Sequence, residues 1–138
     1  MKENIMISLT SVQFQDGERT ETELLTKAKR SKAGKFDVIS YEDTEATGFE
    51  GSVTTLQIDE NGCSACIIRK GTANSVLSLE KGKKHFCQYS TPYGSMQIGI
   101  YTHTIDNSIS ENGRLYLKYT LDINSAYLSD NEIIMTIN

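Results

Sequence analysis

The sequence predicts an all-β fold, a single closed or nearly closed antiparallel up-and-down barrel of about 8–10 strands. Polar and apolar residues alternate along almost every segment, as in strands with one dry face. Turn signals recur about every 8–12 residues, and no low-complexity linker divides the 138 residues. One domain over residues 1–138 is expected, because single cores usually hold on the order of 100–150 residues.

The strands are taken in chain order. "NIMISLTSVQF" sets Ile5, Ile7 and Leu9 on one side. "TETELLTKAKRSKA" also fits a helix, with Leu24, Leu25 and Ala28 on one stripe, but its strand and turn neighbours favour a strand. Shorter segments follow, and they are "FDVISYED", "VTTLQID", "CSACIIRK", "SVLSLE" and "HFCQYST". Asn-Gly turns are predicted within Glu60–Gly62 and Glu111–Gly113.

The last strands alternate most clearly. "RLYLKYTLDIN" places Leu115, Leu117 and Tyr119 on an enclosed face, and "NEIIMTIN" alternates as well. "SMQIGIYTHTI" has one face made by Met96, Ile98, Ile100, Thr102 and Thr104. A meander of this length leaves two exposed edges unless it closes, so closure into a barrel is the predicted solution.

Several motifs resemble the YwiB-like family of small bacterial proteins. The resemblance is carried by Arg69 and Gly71, by Gly82, and by Tyr89, Thr91, Pro92, Tyr93 and Gly94 of "YSTPYG". The closing segments "NGRLYLKYTLDIN" and "NEIIMTIN" are also similar to the family's last strands. The resemblance implies a lipocalin-like, calycin-type barrel in a bacterial cytosolic protein, with no known catalytic activity.

Composition and motifs exclude several functions. The net charge of −4 argues against a phosphate-binding surface over the whole protein. The sequence contains no Gly-x-Ser-x-Gly elbow and no glycine-rich phosphate loop, so no enzyme, cofactor or metal is predicted. "CSAC" is interpreted as inert thiols, and Glu42, Asp43 and Glu45 as a solvated loop rather than a calcium site. Three cysteines, no export signal and no apolar span predict a cytoplasmic protein outside the membrane.

The leading hypothesis is a small, partly apolar ligand held inside the barrel. Its candidate anchors are Arg69, Tyr89, Thr91, Tyr101 and His103, provided that these side chains face inward. In the simpler interpretation, "STPYGS" is an ordinary hairpin, and Arg69 caps the barrel mouth by pairing with Glu80 or another carboxylate.

The alternative hypothesis is an interaction module that binds RNA or an acidic protein through a basic rim. That rim would be formed by Lys27, Lys29, Arg30, Lys32, Lys35, Lys81, Lys83 and Lys84. A monomer or a homodimer is expected.

Overall fold

A computed structural model describes residues 2–47, 49–72, 74–91 and 94–138, apart from the side chains at 47, 88–91 and 94–95. The strands are β1 (Glu3–Gln15), β2 (Glu18–Ala33), β3 (Phe36–Glu42), β4 (Ser52–Asp59), β5 (Ser64–Gly71), β6 (Ser75–Glu80), β7 (Lys84–Thr91), β8 (Gly94–Ser108), β9 (Arg114–Ile123) and β10 (Ala126–Ile137). A 3₁₀ turn spans Glu45–Thr47, and the helix α1 spans Ile109–Asn112. In the described ranges, no helix is long and apolar enough to cross a membrane.

The strands form one ten-stranded sheet in the order β6-β5-β4-β3-β2-β1-β10-β9-β8-β7. Each neighbouring pair is antiparallel, and the first and last strands pair directly from Ile7↔Ile137 to Phe14↔Asp130. The two edge strands of the sheet are therefore β6 and β7, and the seam of the barrel is the gap between them. It narrows where the Gly82 amide donates to the Thr102 carbonyl at 2.8 Å. The sheet is a nearly closed antiparallel barrel, which confirms the predicted fold.

The ambiguous segment after the first turn is a strand. It pairs with β1 from Glu3↔Arg30 to Gln15↔Glu18. Leu24 is 9% exposed whereas Leu25 is 66% exposed, because consecutive side chains of a strand point to opposite faces. A helix would have placed both leucines on one stripe. Because the segment is extended, only Leu24 is buried.

The core fills the barrel with side chains from alternate positions. Leu115, Leu117 and Tyr119 are all enclosed, with 1%, 0% and 8% of their surface exposed, which confirms the prediction for this strand. Ile7 and Leu9 of β1 are buried in the same core. Each fully buried aliphatic side chain of this kind stabilises the fold by about 1.5–3 kcal/mol.

Two details of the chain differ from the sequence prediction. The register between β8 and β9 shifts between Thr102 and Thr104, so the bulge buries Ile105 where simple alternation predicted Thr104. The prediction of a tight hairpin turn at Glu111–Gly113 is wrong. Its first residues belong to α1, and Gly113 ends that helix in the left-handed conformation with φ 71°.

The other two predicted hairpins connect neighbouring strands. Gly62 has φ 72° in the connection from β4 to β5, as the Asn-Gly signal predicted. The "STPYGS" segment joins β7 to β8, since Thr91 pairs with Gly94. The predicted turn at Pro92 and Tyr93 lies outside the described residues.

Candidate functional site

The barrel lumen contains a cavity of about 310 Å³ near the end where β3 and β5 finish. Its lining comes from strands around most of the barrel, because alternate side chains of each strand point inward. The lining residues are Leu9, Ser11, Val12, Gln13, Thr20, Thr22, Tyr41, Phe49, Leu56, Ile67, Arg69, Leu77, Tyr119, Leu121, Asn131, Glu132 and Ile133. The cavity thus combines an aliphatic surface with a small number of polar groups.

Arg69 is the cation of this cavity, and its side chain is 18% exposed. Its Nε donates to Thr54 Oγ1 at 3.1 Å and lies 3.5 Å from Asp43 Oδ2. The Thr54 hydroxyl in turn donates to the same Asp43 oxygen at 2.6 Å. The Asp43 carboxylate is fully buried, so this shared ion pair supplies the compensation that a buried charge requires.

The face of the guanidinium packs on an aromatic ring. Arg69 Cζ lies 3.8 Å from the centroid of the Phe49 ring, which is a cation–π arrangement. With Nε held by Thr54 and one face covered by Phe49, the guanidinium plane has a fixed orientation at the cavity. A fixed arginine loses less conformational entropy when it binds a ligand.

Two buried tyrosines complete the polar part of the cavity. Burial raises the pKa of Tyr119 to about 12, and the Arg69 charge opposes that rise. Burial, followed by the Asp43 charge, raises the pKa of Tyr41 to about 12, while Arg69 and Thr54 oppose it. Both phenols therefore keep their protons at neutral pH and can donate hydrogen bonds.

The sequence prediction included only part of this cluster. Asp43 was interpreted as part of a solvated acidic loop, and this is wrong, because its residue surface is only 5% exposed. Tyr119 was correctly predicted to be enclosed, but only as a packing residue. The inward positions of Tyr41 and Thr54 follow the alternation of their strands, with 6% and 0% exposed. That periodicity is the sequence signal for this part of the site.

Of the ligand-binding residues predicted from the sequence, the structure places Arg69 at the cavity. Its partner is Asp43, which matches the simpler interpretation of an arginine paired with a carboxylate. The proposed alternative partner Glu80 contacts Lys83 and His85 instead, at 3.0 and 2.9 Å.

The side chains of Tyr89 and Thr91 lie outside the described residues, although their backbones belong to β7. Their inward orientation therefore stays a prediction.

Tyr101 and His103 lie on the outer surface, so the expectation that they line the lumen is wrong. They alternate with Ile100 and Thr102, which are both 0% exposed, and the pleat sends the intervening side chains outward. His103 Nε2 lies 2.7 Å from Thr120 Oγ1, and its ring makes an edge contact with Tyr101 at 4.9 Å between centroids.

The exterior holds a second polar cluster around His103. The Thr120 hydroxyl donates to Asp130 Oδ1 at 2.6 Å, and the Tyr127 hydroxyl donates to Asp130 Oδ2 at 3.0 Å. The hydrogen bond from Thr120 is the first cause that holds the pKa of Asp130 below its usual value. Because Thr120 directs its proton to Asp130, its oxygen can accept from His103, and these side chains form a hydrogen-bonded chain on the outer surface.

The residues of the predicted basic rim do not act as one free cationic surface. Lys32 pairs with Glu60 at 2.9 Å, and Lys35 pairs with Asp59 at 3.3 Å. Lys84 pairs with Asp122 at 2.6 Å. These carboxylates reduce the positive potential that a nucleic-acid backbone would meet.

The cysteines are free thiols. Burial raises the pKa of Cys66, with a hydrogen bond to Ser78 opposing it, and burial also raises the pKa of Cys87. Raised thiol pKa values suit structural cysteines rather than reactive ones. In the described part of the chain, no group of three or more histidine, cysteine, aspartate or glutamate side chains has an arrangement that could hold a metal ion.

These features define the protein as a nearly closed ten-stranded antiparallel barrel with a lined lumen. The chain belongs to the DUF1934 family, a domain of unknown function, whose model matches residues 7–135. The crystal structure of the ywiB protein from Bacillus subtilis matches with a TM-score of 0.75 and 16% sequence identity, covering 99% of this chain and 93% of that chain. At this identity the likeness shows the fold. A search of curated proteins finds no match. The family match and the ywiB structure together confirm the resemblance to the YwiB-like family that the sequence motifs indicated.

Proposed function

We propose that the protein binds a small, partly apolar ligand in the luminal cavity. The observation that carries this proposal is the cavity of about 310 Å³, in which a fixed Arg69 and two buried tyrosines face an aliphatic lining. Small-molecule sites are mostly apolar concavities of about 300–1,000 Å³ with a few placed polar groups. This cavity is at the lower end of that range, which suits a compact ligand.

The alternative is binding of RNA or an acidic protein by the basic rim. It draws support from Lys27 and Lys29, which are exposed on β2 beside Arg30. The carboxylate pairs of Lys32, Lys35 and Lys84 weaken that support. The luminal site is therefore the better supported proposal.

The remaining features of the proposal follow from the sequence. It describes a calycin-like, bacterial, cytoplasmic protein, a monomer or a homodimer, that binds its ligand without transforming it. The family resemblance supports the calycin class and the bacterial cytosolic origin. The inward Arg69 pairs with Asp43 rather than with a histidine or a nucleophile, which supports binding rather than catalysis.

The test is native mass spectrometry of the protein purified from its own host. A co-purified small molecule on the wild type is expected, and it should be lost when Ser11→Phe fills the cavity, because Ser11 lines that space. Ser8→Phe is the matched control, since Ser8 belongs to the same strand but does not line the cavity. Equal retention by both variants, or a bare wild-type mass, would contradict the proposal.

A further inference from the structure

Arg69, Tyr41 and Tyr119 supply hydrogen-bond donors to the cavity. Acceptor oxygens are present elsewhere in its lining, on Ser11, Gln13, Thr20, Thr22, Asn131 and Glu132. The Arg69 guanidinium has N–H groups and no acceptor, and a protonated phenol donates one O–H. Tyr41 and Tyr119 are protonated at neutral pH, as tyrosines ordinarily are, and burial raises their pKa values further, to about 12. A ligand group that lies against Arg69 and the two tyrosines must present acceptor oxygens.

The guanidinium retains donors after its protein contacts are made. Nε donates to Thr54 and pairs with Asp43, and Arg69 also opposes the rise that burial causes in the pKa of Tyr41. A guanidinium has five N–H donors in a planar fork. Among the described residues, its hydrogen bond to Thr54 and its ion pair with Asp43 are both made through Nε, so donors on its terminal amino groups remain for a ligand. That fork matches two oxygens that lie side by side in one plane, as in a carboxylate.

The donors come from strands that are not neighbours in the sheet. Arg69 lies on β5 and Tyr119 lies on β9. Both side chains nevertheless line the same cavity, and the Arg69 charge opposes the rise that burial causes in the pKa of Tyr119. The oxyanion of one ligand can therefore bind both Arg69 and Tyr119. The apolar part of the same ligand would then pack on Leu9, Leu56 and Ile67.

The charges around the cavity disfavour a ligand that carries two negative charges. Asp43 already offsets one positive charge of this cluster. A dianion such as a phosphate monoester would leave more negative charge without compensation in a largely dehydrated space, which is costly. A monoanionic carboxylate has the smaller excess charge and the better fit to the planar fork.

We infer that the ligand is a small amphipathic carboxylate, held at its oxygens by Arg69 and Tyr119 and with its apolar body against the aliphatic lining. This inference rests on the proposed luminal function and specifies the chemical class of its ligand. The carboxylate lies at the polar part of the cavity, and its size is limited by the volume of about 310 Å³.

The experiment is isothermal titration of the purified, delipidated chain with octanoate, 1-octanol and octyl phosphate. These probes share the same apolar chain and differ in the head group. Octanoate is expected to bind at least about tenfold more tightly than either of the others, because charge-assisted hydrogen bonds are roughly twice as strong as neutral ones. Octanol binding as tight as octanoate would overturn the carboxylate inference and leave the luminal function standing.

Variants locate the head group. Tyr119→Phe, which removes one donor, should weaken octanoate binding by about three- to tenfold and leave octanol binding unchanged. Asp43→Asn combined with Arg69→Gln removes the ion pair as a unit and should reduce octanoate to the octanol level. Tyr101→Phe is the matched control, since Tyr101 is exposed on the outer surface. Unchanged octanoate affinity in both cavity variants would overturn the inference.

The failure of the two proposals can be distinguished. Octanoate binding that survives Ser11→Phe would place it outside the lumen and contradict both. No octanoate binding up to millimolar concentration would overturn the carboxylate inference, and the mass of the native protein would then decide the luminal function separately. Preference for octyl phosphate would also overturn the inference that the ligand is a monoanion, although the inference of an anion site at Arg69 would stand.

Discussion

The two ends of the barrel both bury carboxylates, but they compensate them differently. At the cavity end, the Asp43 side chain is fully buried, and its cation Arg69 is itself only 18% exposed. The other end, where Asn107 contacts both Asp37 and Asp59, is called the closed end. There Asp59 is 5% exposed, whereas its cation Lys35 is 61% exposed. The cavity end therefore holds its positive charge inside the protein, and the closed end leaves it mostly in water.

The hydrogen bonds at the closed end explain why it needs no interior cation. The backbone N–H of Asn61 donates to Asp59 Oδ1 at 2.9 Å. Asn107 donates both to Asp37 Oδ2 and to the Asp59 carbonyl, each at 3.0 Å. These bonds join β8 to β3 and β4, which are not its neighbours in the sheet. The comparison indicates that a mostly buried arginine, paired with the buried carboxylate, is the feature specific to the cavity end.

The largest expected effect follows from removing the interior cation. Arg69→Met takes the positive charge from the buried Asp43 carboxylate. Breaking one partner from a buried pair typically costs about 3–5 kcal/mol, and we expect that loss in the free energy of unfolding from urea denaturation. The double variant with Asp43→Asn should recover most of it. A loss below about 1 kcal/mol for the single variant would remove the energetic distinction between the two ends.

The sequence predicted the barrel well because alternation is a local property. Leu24 and Leu25 differ in burial as strand geometry requires. The same alternation places Tyr101 outside, so it also explains why the expectation of a luminal Tyr101 is wrong. Asp43 could not be placed in this way, since it follows the end of β3 and its burial depends on Thr54 and on Arg69 reaching it from β5. The bulge after Thr102 could not be predicted from the sequence either, because it depends on how two strands pair.

An intermediate effect is expected at alkaline pH at the cavity end. The pKa of Tyr119 is raised from 10.0 to about 12 by burial. The folded state therefore holds a proton that the unfolded state has released between about pH 10 and 12. Stability due to this group is complete below the unfolded pKa and falls as the pH rises through the folded one. A shift of this size corresponds to about 2–3 kcal/mol.

The measurement is the free energy of unfolding of the wild type and of Tyr119→Phe at about pH 9 and at about pH 12. The wild type should lose more stability over this interval than the variant, and Tyr101→Phe should behave like the wild type, since Tyr101 is exposed. Parallel losses in the wild type and Tyr119→Phe would show that this phenol is not desolvated, and the cavity end would then be as wet as the surface.

The smallest expected effect is at the closed end, where Lys35→Met is the counterpart of Arg69→Met. Lys35 is exposed, so its pair with Asp59 should contribute no more than about 1 kcal/mol. The hydrogen bond from the Asn61 amide is the first cause that holds the pKa of Asp59 below its usual value, and it survives the substitution. Urea denaturation in low and high salt measures the difference. If Lys35→Met cost as much as Arg69→Met, the exposure of the cation would not be what separates the two ends.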